Sequence, residues 1–277
     1  MEDSQPNAIP EFRRLHATGC FVLPNPWDIG TARYLHHLGF KALATTSGGY
    51  AFSRGRPDGA VPLDEMLEHI REVVVATPLP VNADFLAGFA DEPDDVAVNV
   101  ARCVATGVAG LSIEDSTGNP EQLLYPEELA VRRLAAARRA IDASATSPVL
   151  TGRCEAYLVG EPNPLGTSLR RLVAYAEAGA DCLYAPGVSE PAEIAAIVNA
   201  VAPKPVNVLV AGFNSDLTFK QLADLGVRRI SVGSGMTMVA WGAFANAARS
   251  IATNGTFETL AGGTAYSELQ ELFGQQD

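Results

Sequence analysis

The chain has little positive charge. Its 277 residues include 20 lysines and arginines against 32 aspartates and glutamates, which gives a formal net charge of −12 at pH 7. An acidic surface repels nucleic-acid phosphates and anionic lipid headgroups, so we expect neither nucleic acid nor a membrane surface as a partner. An anionic small molecule would have to be attracted by an arginine at its binding site.

Cysteine is also scarce, and long apolar runs are absent. The four cysteines contain no CxxC pair, and their wide spacing is typical of reduced thiols in a chain of this size. No apolar run reaches the ~18 residues that a membrane helix needs. The first residues, MEDSQPNAIPEF, lack the basic-then-apolar pattern of a signal peptide. We therefore expect a cytoplasmic protein.

Histidine is the third scarce residue type. The four histidines lie on predicted helices or ahead of the first predicted strand, and they are His16, His36, His37 and His69. We expect them at the surface, away from the strand ends. This placement argues against a histidine-based catalytic triad and against a zinc site with histidine ligands.

A strand-then-helix pattern recurs eight times along the chain. Each short apolar run ends in polar or small residues, and an amphipathic helical stretch follows it. The predicted strands are Cys20–Pro24, Ala42–Thr46, Val81–Asp84, Gly110–Glu114, Pro148–Arg153, Asp181–Ala185, Pro205–Leu209 and Arg229–Val232. Eight such units in about 250 residues predict an α/β fold of the closed (β/α)8, or TIM barrel, type.

We predict one barrel domain over residues 1–277, with its core at about 18–252 and a helical tail at 253–277. The alternative is a doubly wound open sheet, which usually has a glycine-rich first βα turn. The first turn here is Asn25-Pro26-Trp27-Asp28, which is no phosphate loop. Apolar residues in the tail suggest a helix that packs on another surface, such as a neighbouring subunit.

Acidic side chains follow the second, third and fourth predicted strands. In this fold the chemistry takes place on the loops after the strands, so Asp58, Asp84 and Glu114 should converge. Clustered carboxylates repel one another unless a cation is present, and Mg²⁺ prefers oxygen ligands, held directly or through water. The cluster predicts a site for Mg²⁺, or Mn²⁺ in its place. Helix capping or pairing with arginine is the alternative, which we favour for Asp115.

Arg153 ends the fifth predicted strand and should face these acids. A guanidinium group can hold a substrate carboxylate through two parallel hydrogen bonds. A structural pair with Glu155 or Glu114 is the alternative. The next residue, Cys154, should point away from Arg153 and pack in the core, because neighbouring residues of a strand face opposite sides.

Ser47, Gly48 and Gly49 form a tight turn after the second predicted strand. Backbone N–H groups in such a turn can bind a carboxylate or enolate oxygen, and glycine lets a ligand approach closely. The alternative is a turn with a connecting role only. Asn207, on the seventh predicted strand, is a further polar candidate.

Several stretches are similar to motifs of the isocitrate lyase and phosphoenolpyruvate mutase superfamily, which includes 2-methylisocitrate lyases and carboxyvinyl-carboxyphosphonate phosphorylmutases. They are TTSGGYAFSRGRPDG, PVNADFLAGFAD, GVAGLSIEDS, TGRCEAYL and AEAGADCLYAPG, and they occur in the family's order. The chain resembles this superfamily over roughly residues 11–250. The resemblance implies a (β/α)8 barrel, a last helix often swapped within a homodimer or homotetramer, Mg²⁺, and a small 2-oxo carboxylate as substrate.

The resemblance also implies roles for single residues. Ser47, Gly48 and Gly49 would hold the substrate's carboxylate and oxo oxygen. Asp58, Asp84 and Glu114 would hold the metal and its waters. Arg153 would act in catalysis with Glu114 and Asp58 and would contact the substrate, whose far end would meet Asn207.

The chain departs from the superfamily at two places. Many members have Asp-x-Asp on strand three, whereas this chain has Asn82-Ala83-Asp84 and so lacks one negative charge. The lyases also carry a general-acid cysteine in the loop after strand four. That loop reads EDSTGNPEQLLYP here, without cysteine, histidine or lysine, and its Ser116, Thr117 and Asn119 are weak acids. The isocitrate and methylisocitrate lyase reactions are therefore disfavoured.

Three functions stay open at this point. The first is a Mg²⁺-dependent lyase or decarboxylase acting through an enolate; loss of CO₂ needs no strong general acid, which fits the missing cysteine. The second is a protein that binds 2-oxo acids without turnover, motivated by Asn82 and the altered loop. The third is a P–C bond mutase or hydrolase, which needs cationic help that Arg54 or Arg56 would supply. Pairing at the surface or rim is the simpler role for both arginines.

Overall fold

The computed structural model describes residues 8–212, 214 and 216–274. Its strands are β1 (Phe21–Leu23), β2 (Leu43–Ala44), β3 (Val81–Asp84), β4 (Gly110–Glu114), β5 (Ser116–Asn119), β6 (Gln122–Leu124), β7 (Val149–Arg153), β8 (Cys182–Tyr184), β9 (Val206–Leu209) and β10 (Arg229–Ser231). Eight of them form one parallel sheet in the order β1-β10-β9-β8-β7-β4-β3-β2, and β5 and β6 form a separate antiparallel hairpin. The (β/α)8-barrel prediction is confirmed.

The two ends of this sheet, β1 and β2, meet and complete the barrel. The backbone N–H of Ala44 donates to the carbonyl of Pro24 at 3.0 Å. Beside this bond, the buried Asn25 donates to the Thr45 carbonyl at 2.9 Å and accepts from the N–H groups of residues 232 and 233. One amide side chain thus joins the ends of three strands.

The helices surround the barrel in the expected alternation. They are α1 (Ala8–Ala17), α2 (Ile29–His37), α3 (Ser47–Ser53), α4 (Leu63–Ala76), α5 (Pro93–Val104), α6 (Glu127–Asp142), α7 (Pro164–Glu177), α8 (Pro191–Val201), α9 (Phe219–Asp224), α10 (Gly235–Asn254) and α11 (Tyr266–Gly274), with a 3₁₀ helix at Glu258–Gly262. Within the described part of the chain, no helix is both long and apolar enough to cross a membrane.

Strand alternation divides the apolar residues into two cores. Outward-facing residues such as Leu111, Leu150 and Leu183 are fully buried beneath the helices. Cys154 lies in this outer core, as predicted. Inward-facing residues form a smaller core at the bottom of the barrel, where α1 inserts the fully buried Phe12.

One local feature differs from the expectation. Residues 47–49 begin the short helix α3 where a tight turn was expected. The reason is a side-chain cap, because Thr46 Oγ1 accepts a hydrogen bond from the Gly49 N–H at 3.1 Å. Helix α7 begins at Pro164, and the Asn163 side chain caps it by accepting from the Gly166 N–H at 3.1 Å.

Most described residues of the chain after β10 are exposed and do not pack against the barrel. Helix α10 has 20 residues, and among its described residues only Thr237 is buried. Met238, Val239, Trp241 and Phe244 are all exposed. Helix α11 is tied to α2 by a hydrogen bond from the Tyr34 hydroxyl to Glu268 at 3.2 Å, yet none of its described residues is buried.

The surface placement expected for the histidines is wrong for two of them. His16 closes the bottom of the barrel, and His69 stacks on Tyr50 with ring centroids 3.8 Å apart. Burial lowers the pKa of His69 to about 4. Burial, and next the charge of Arg229, lower the pKa of His16 to about 3. The sequence pattern missed both because each lies on the inward face of an amphipathic helix.

Neutral His16 is expected to make folding dependent on pH. Its folded-state pKa lies below the ordinary value of 6.5, so its contribution to stability is present above pH 6.5 and is lost as the pH falls toward 3. Between pH 6.5 and 5 the loss should be about 2 kcal/mol. Urea unfolding of His16→Gln should show a correspondingly smaller pH dependence than the unaltered protein.

His36→Gln is the matched control, because His36 is exposed on α2. It should leave the pH dependence unchanged. Equal slopes for the His16→Gln variant and the unaltered protein would contradict the prediction.

Candidate active site

Four inward-facing polar residues stand at the ends of neighbouring strands. Asp84 ends β3, Glu114 ends β4, Arg153 ends β7 and Tyr184 ends β8. The strand register sets Arg153 beside both Glu114 and Tyr184. The mouth of the barrel therefore collects acidic groups around one guanidinium group, as the sequence predicted.

Arg153 is held by three carboxylates. Its Nη1 lies 3.2 Å from Asp84 Oδ1 and 3.3 Å from Glu114 Oε2, and its Nε donates to Glu155. Burial alone would lower the Arg153 pKa, but Glu155, Glu114 and Asp84 raise it well above its ordinary value. The guanidinium group is thus a permanent cation. The structural pairing with Glu155 or Glu114, which was the alternative role for Arg153, is present.

The acids around Arg153 outnumber it. Burial raises the pKa of Glu114 well above its ordinary value, and the Glu155, Asp84 and Asp58 charges add to this against the lowering effect of Arg153. The Glu155 pKa is also raised, again chiefly by burial. Bound protons or an added cation can relieve such an excess of negative charge.

The structure brings Asp58 to the same cluster from the loop between α3 and α4. Although much of the residue is exposed, its carboxylate faces α3, and a Cβ atom at Gly48 would lie 3.1 Å from its Oδ2. Removal of water from the carboxylate raises the Asp58 pKa, and Asp84 raises it further, while a hydrogen bond from Ser47 lowers it.

The cluster fits a hydrated hard cation. Among the described residues, no three His, Cys, Asp or Glu side chains are arranged to hold a metal ion together. Mg²⁺ typically takes only one or two carboxylates and keeps several waters. Asp58, Asp84 and Glu114 supply oxygen donors alone and carry uncompensated negative charge, so the donor chemistry suits Mg²⁺.

The three residues at the start of α3 have different surroundings. The Ser47 N–H donates to Asp84 Oδ2 at 2.9 Å, and the Gly49 N–H donates to Thr46. A Cβ atom at position 49 would lie 2.6 Å from both Thr237 Oγ1 and Thr46 Cγ2. Gly49 thus permits close packing of α3 against α10, while Gly48 faces Asp58 in the first turn of the helix.

Asp115 has the structural role favoured for it. The buried carboxylate pairs with Arg171 at 3.0 Å and accepts from the Tyr175 hydroxyl at 2.6 Å. Its other oxygen accepts from the Glu155 N–H at 2.8 Å. Asp115 thereby fixes the backbone of an acid that holds Arg153.

Asn207 lies deeper in the barrel than the acids. Its amide oxygen accepts from Arg229 Nε at 2.9 Å, and its amide nitrogen donates to Ser231 Oγ at 2.9 Å. Asn82 is also buried, and its Oδ1 has no hydrogen-bond partner among the described residues. Both amides line the cavity that also contacts Arg153.

The sequence interpretation missed Arg229, Ser231 and the joining role of Asn25. The signal for Arg229 was present, because Arg229 and Ser231 alternate with the apolar Ile230 and therefore share the inner face of the strand. Asn25 gave no such signal, since its three partners are distant in sequence.

The loop after β4 forms the β5–β6 hairpin and uses its polar groups internally. Thr117 Oγ1 accepts from the Asn119 N–H and contacts the Gln122 carbonyl. The Asn119 side chain accepts from the Glu121 N–H at 3.0 Å, and the Ser116 hydroxyl from the Gly118 N–H at 3.4 Å. This hairpin contains no cysteine, histidine or lysine, and its carboxylate, Glu121, is exposed.

Comparison with known proteins identifies the family to which the chain belongs. The family model described as phosphoenolpyruvate phosphomutase matches residues 12–252. A Mycobacterium tuberculosis protein, the uncharacterized protein Rv1998c, is 33% identical over 261 residues, which are 94% of each chain. The 2-methylisocitrate lyase of Escherichia coli K12 is 34% identical over 182 residues, which are 60% of this chain and 59% of the lyase. The characterised homologues are enzymes, and they include carbon–carbon lyases.

Solved structures share the fold over nearly the whole chain. A Burkholderia cenocepacia J2315 protein, for which a lyase or mutase activity has been suggested, is 44% identical with a TM-score of 0.95 over 99% of both chains. An oxaloacetate acetylhydrolase solved with its product oxalate is 26% identical with a TM-score of 0.86, over 99% of this chain and 96% of that one. A phosphonopyruvate hydrolase with oxalate and Mg²⁺ is 25% identical with a TM-score of 0.84, over 97% and 95%.

Gly49→Ala should destabilise the protein by about 1–3 kcal/mol, because the added methyl group overlaps Thr237 and Thr46. Urea unfolding measures the loss. Gly30→Ala on α2 is the matched control, since its methyl group would meet its nearest neighbour at an ordinary 3.5 Å. A Gly49→Ala variant as stable as Gly30→Ala would contradict the assigned packing.

Proposed function

Because the chain belongs to the phosphoenolpyruvate phosphomutase family, within the isocitrate lyase/phosphoenolpyruvate mutase superfamily, we propose that it is a Mg²⁺-dependent lyase or decarboxylase acting on a small 2-oxo carboxylate. The observation that carries this proposal is the cluster at the barrel mouth. Asp58, Asp84 and Glu114 surround Arg153 there, beside the start of α3.

The residues of the cluster would have different roles in binding the metal and the substrate. Asp58, Asp84 and Glu114 would hold Mg²⁺ and its waters, and the bound ion would supply Lewis-acid stabilisation of an enolate. Arg153 would bind the substrate carboxylate. The Ser47 N–H donates to Asp84 Oδ2, so the neighbouring Gly48 N–H in the first turn of α3 would bind a negatively charged substrate oxygen.

The ligand bound to two solved relatives supports an enolate intermediate. Oxalate has the shape and charge of the enolate of pyruvate, and two solved relatives bind it, one of them with Mg²⁺. When a 2-oxo acid carries a second carboxylate on the carbon next to the oxo group, loss of that carboxylate as CO₂ leaves such an enolate. The departing CO₂ needs no proton donor. Decarboxylation therefore suits a β5–β6 hairpin that contains no cysteine, histidine or lysine.

Two alternatives differ in their support. Binding of a 2-oxo acid without turnover is favoured by Asn82 and by the engagement of Arg153 with three protein carboxylates. P–C bond chemistry has less support, because Arg54 and Arg56 both pair with Glu65 and so are not free for a phosphoryl group.

A ligand screen tests the proposal. Metal-depleted protein is mixed with 2-oxo acids, with and without Mg²⁺, and melting is followed together with NMR detection of product. We expect Mg²⁺-dependent stabilisation, since a ligand that binds the native state raises Tm, and we expect product to form. Stabilisation without product would favour the binding protein, and no stabilisation by any oxo acid would reject the proposed site.

Single substitutions separate the roles within the cluster. Arg153→Ala should lose most substrate binding, and Asp84→Ala should lose most turnover, by roughly 100-fold or more. Both are measured by steady-state kinetics on the substrate that the screen identifies. Arg102→Ala is the matched control, because Arg102 forms an exposed pair with Asp64. Activity of both site variants near that of the control would reject the mechanism.

The exposed face of α10 indicates assembly. We propose a homodimer or homotetramer in the cytoplasm, in which Trp241 and Phe244, whose rings contact each other edge to face, pack on another subunit. Trp241→Glu should lower the mass found by light scattering to that of one chain. Val75→Glu, at an exposed apolar residue of α4, should not. A single chain in the unaltered protein would contradict the assembly.

A further inference from the structure

A buried tyrosine lines the cavity beside Arg153. Tyr184 ends β8, where the strand register places it next to Arg153 on one side and next to Asn207 on the other. The Arg153 Cζ atom lies 5.3 Å from the centroid of the Tyr184 ring, and both side chains line the cavity that also contacts Asp84. A molecule that Arg153 holds in this cavity would therefore contact Tyr184.

The hydroxyl group of Tyr184 differs from those of the other buried tyrosines. Tyr125 and Tyr175 donate to the carboxylates of Asp91 and Asp115. Within the described part of the chain, the Tyr184 hydroxyl has no carboxylate or carbonyl group as its acceptor. Because a buried tyrosine hydroxyl normally has a partner, this hydrogen is available to a ligand.

A chain of hydrogen bonds sets the direction of this hydrogen. Arg229 Nε can only donate, so it fixes the Asn207 amide oxygen as the acceptor at 2.9 Å. The Asn207 nitrogen must then donate to Ser231 Oγ, which lies 2.9 Å away. The Ser231 hydroxyl in turn bonds to the Tyr184 oxygen and is free to donate to it. The Tyr184 hydrogen therefore points away from Ser231 and into the cavity.

Tyr184 keeps its proton at neutral pH. Burial raises its pKa to about 12, although the charge of Arg153 and the hydrogen bond from Ser231 lower it. These two neighbours would also stabilise the phenolate left behind when the proton is transferred to a ligand. The side chain thus has a proton to give and a way to carry the resulting charge for a short time.

The proposed decarboxylation needs a proton after CO₂ has left. The electron pair of the broken C–C bond stays on the substrate as an enolate, and the carbon that lost CO₂ must gain a proton to give the 2-oxo product. The amides of Asn82 and Asn207 are not acidic, and the pKa of Arg153 is raised well above its ordinary value. The carboxylates at the mouth are assigned to the metal or to Arg153. Tyr184 has none of these other tasks.

We propose that Tyr184 is the catalytic proton donor that protonates the enolate carbon before the product leaves the protein. The O–H bond of Tyr184 breaks as the new C–H bond forms from the enolate electrons, and the phenolate then recovers a proton from water. A hydrogen on the carbon next to an oxo group is less acidic than a phenol, so this transfer is favourable. The inference rests on the function proposed above and adds the residue that completes the reaction.

Oxaloacetate with Mg²⁺ and the full-length protein tests this role, because its loss of CO₂ gives the enolate of pyruvate. Absorbance after rapid mixing follows the loss of oxaloacetate, and NMR distinguishes the vinyl hydrogens of free enol from the methyl group of pyruvate. The unaltered protein should form pyruvate as fast as oxaloacetate disappears. Tyr184→Phe should consume oxaloacetate within about threefold of the normal rate but protonate the enolate roughly 100-fold more slowly. Free enol should then appear before pyruvate.

Two further variants complete the design. Tyr157→Phe is the matched control, because the Tyr157 hydroxyl donates to Glu193 of α8 at 2.9 Å, and this variant should release pyruvate alone. If Tyr184→Phe does not fold, as judged by circular dichroism, Ser231→Ala decides. It keeps Tyr184 but removes the group that directs its hydrogen, so part of the product should leave as free enol.

The outcomes separate this inference from the proposed function. Free enol released by the unaltered protein, or pyruvate alone released by Tyr184→Phe at any rate, would overturn the role of Tyr184 and leave the decarboxylation intact. If the unaltered protein consumes neither oxaloacetate nor its methyl-substituted homologue, the proposed decarboxylation fails, and the role of Tyr184 fails with it.

Discussion

Arg153 is enclosed by three carboxylates, and the arrangement of the barrel mouth depends on this contact. The guanidinium group draws Asp84, Glu114 and Glu155 together from two strand ends and a loop. These acids and Asp58 still exceed its single charge. Burial raises the pKa of Glu114 and of Asp58, and the neighbouring negative charges raise both further. Bound protons or an added cation can relieve such an excess of negative charge.

Buried side chains behind the cluster keep its acids in place. Arg133, which is 1% exposed, donates to the carbonyls of residues 87, 90 and 91 and stacks on Tyr125 at 3.8 Å. The loop that it holds contains Leu86 with φ at +48°, an uncommon conformation for leucine, and the Leu86 carbonyl accepts from the Glu114 N–H. Residues outside the cluster thus fix the backbone beside its acids, while the cluster residues themselves carry the charge.

The barrel interior changes in character from top to bottom. Carboxylates dominate the mouth, Arg229 lies below them bonded to the neutral Asn207 and Thr151, and apolar residues around Phe12 close the base. The acidic exterior and the excess of carboxylates at the mouth would both repel an anionic substrate, so a cation bound to those carboxylates would have to supply the attraction there.

The sequence by itself determined the eightfold alternation of strand and helix, and with it the edge of the sheet where Asp84, Glu114 and Arg153 meet. Periodicity and strand ends are local properties, so they can be read from neighbouring residues. Only the tertiary structure decided that His16 is buried and that Arg229 has no carboxylate partner within the described part of the chain. These depend on contacts between residues far apart in the chain; His16 and Arg229, for example, are 213 positions apart. Barrel closure brings such distant residues into contact, and no single segment of the sequence encodes that closure.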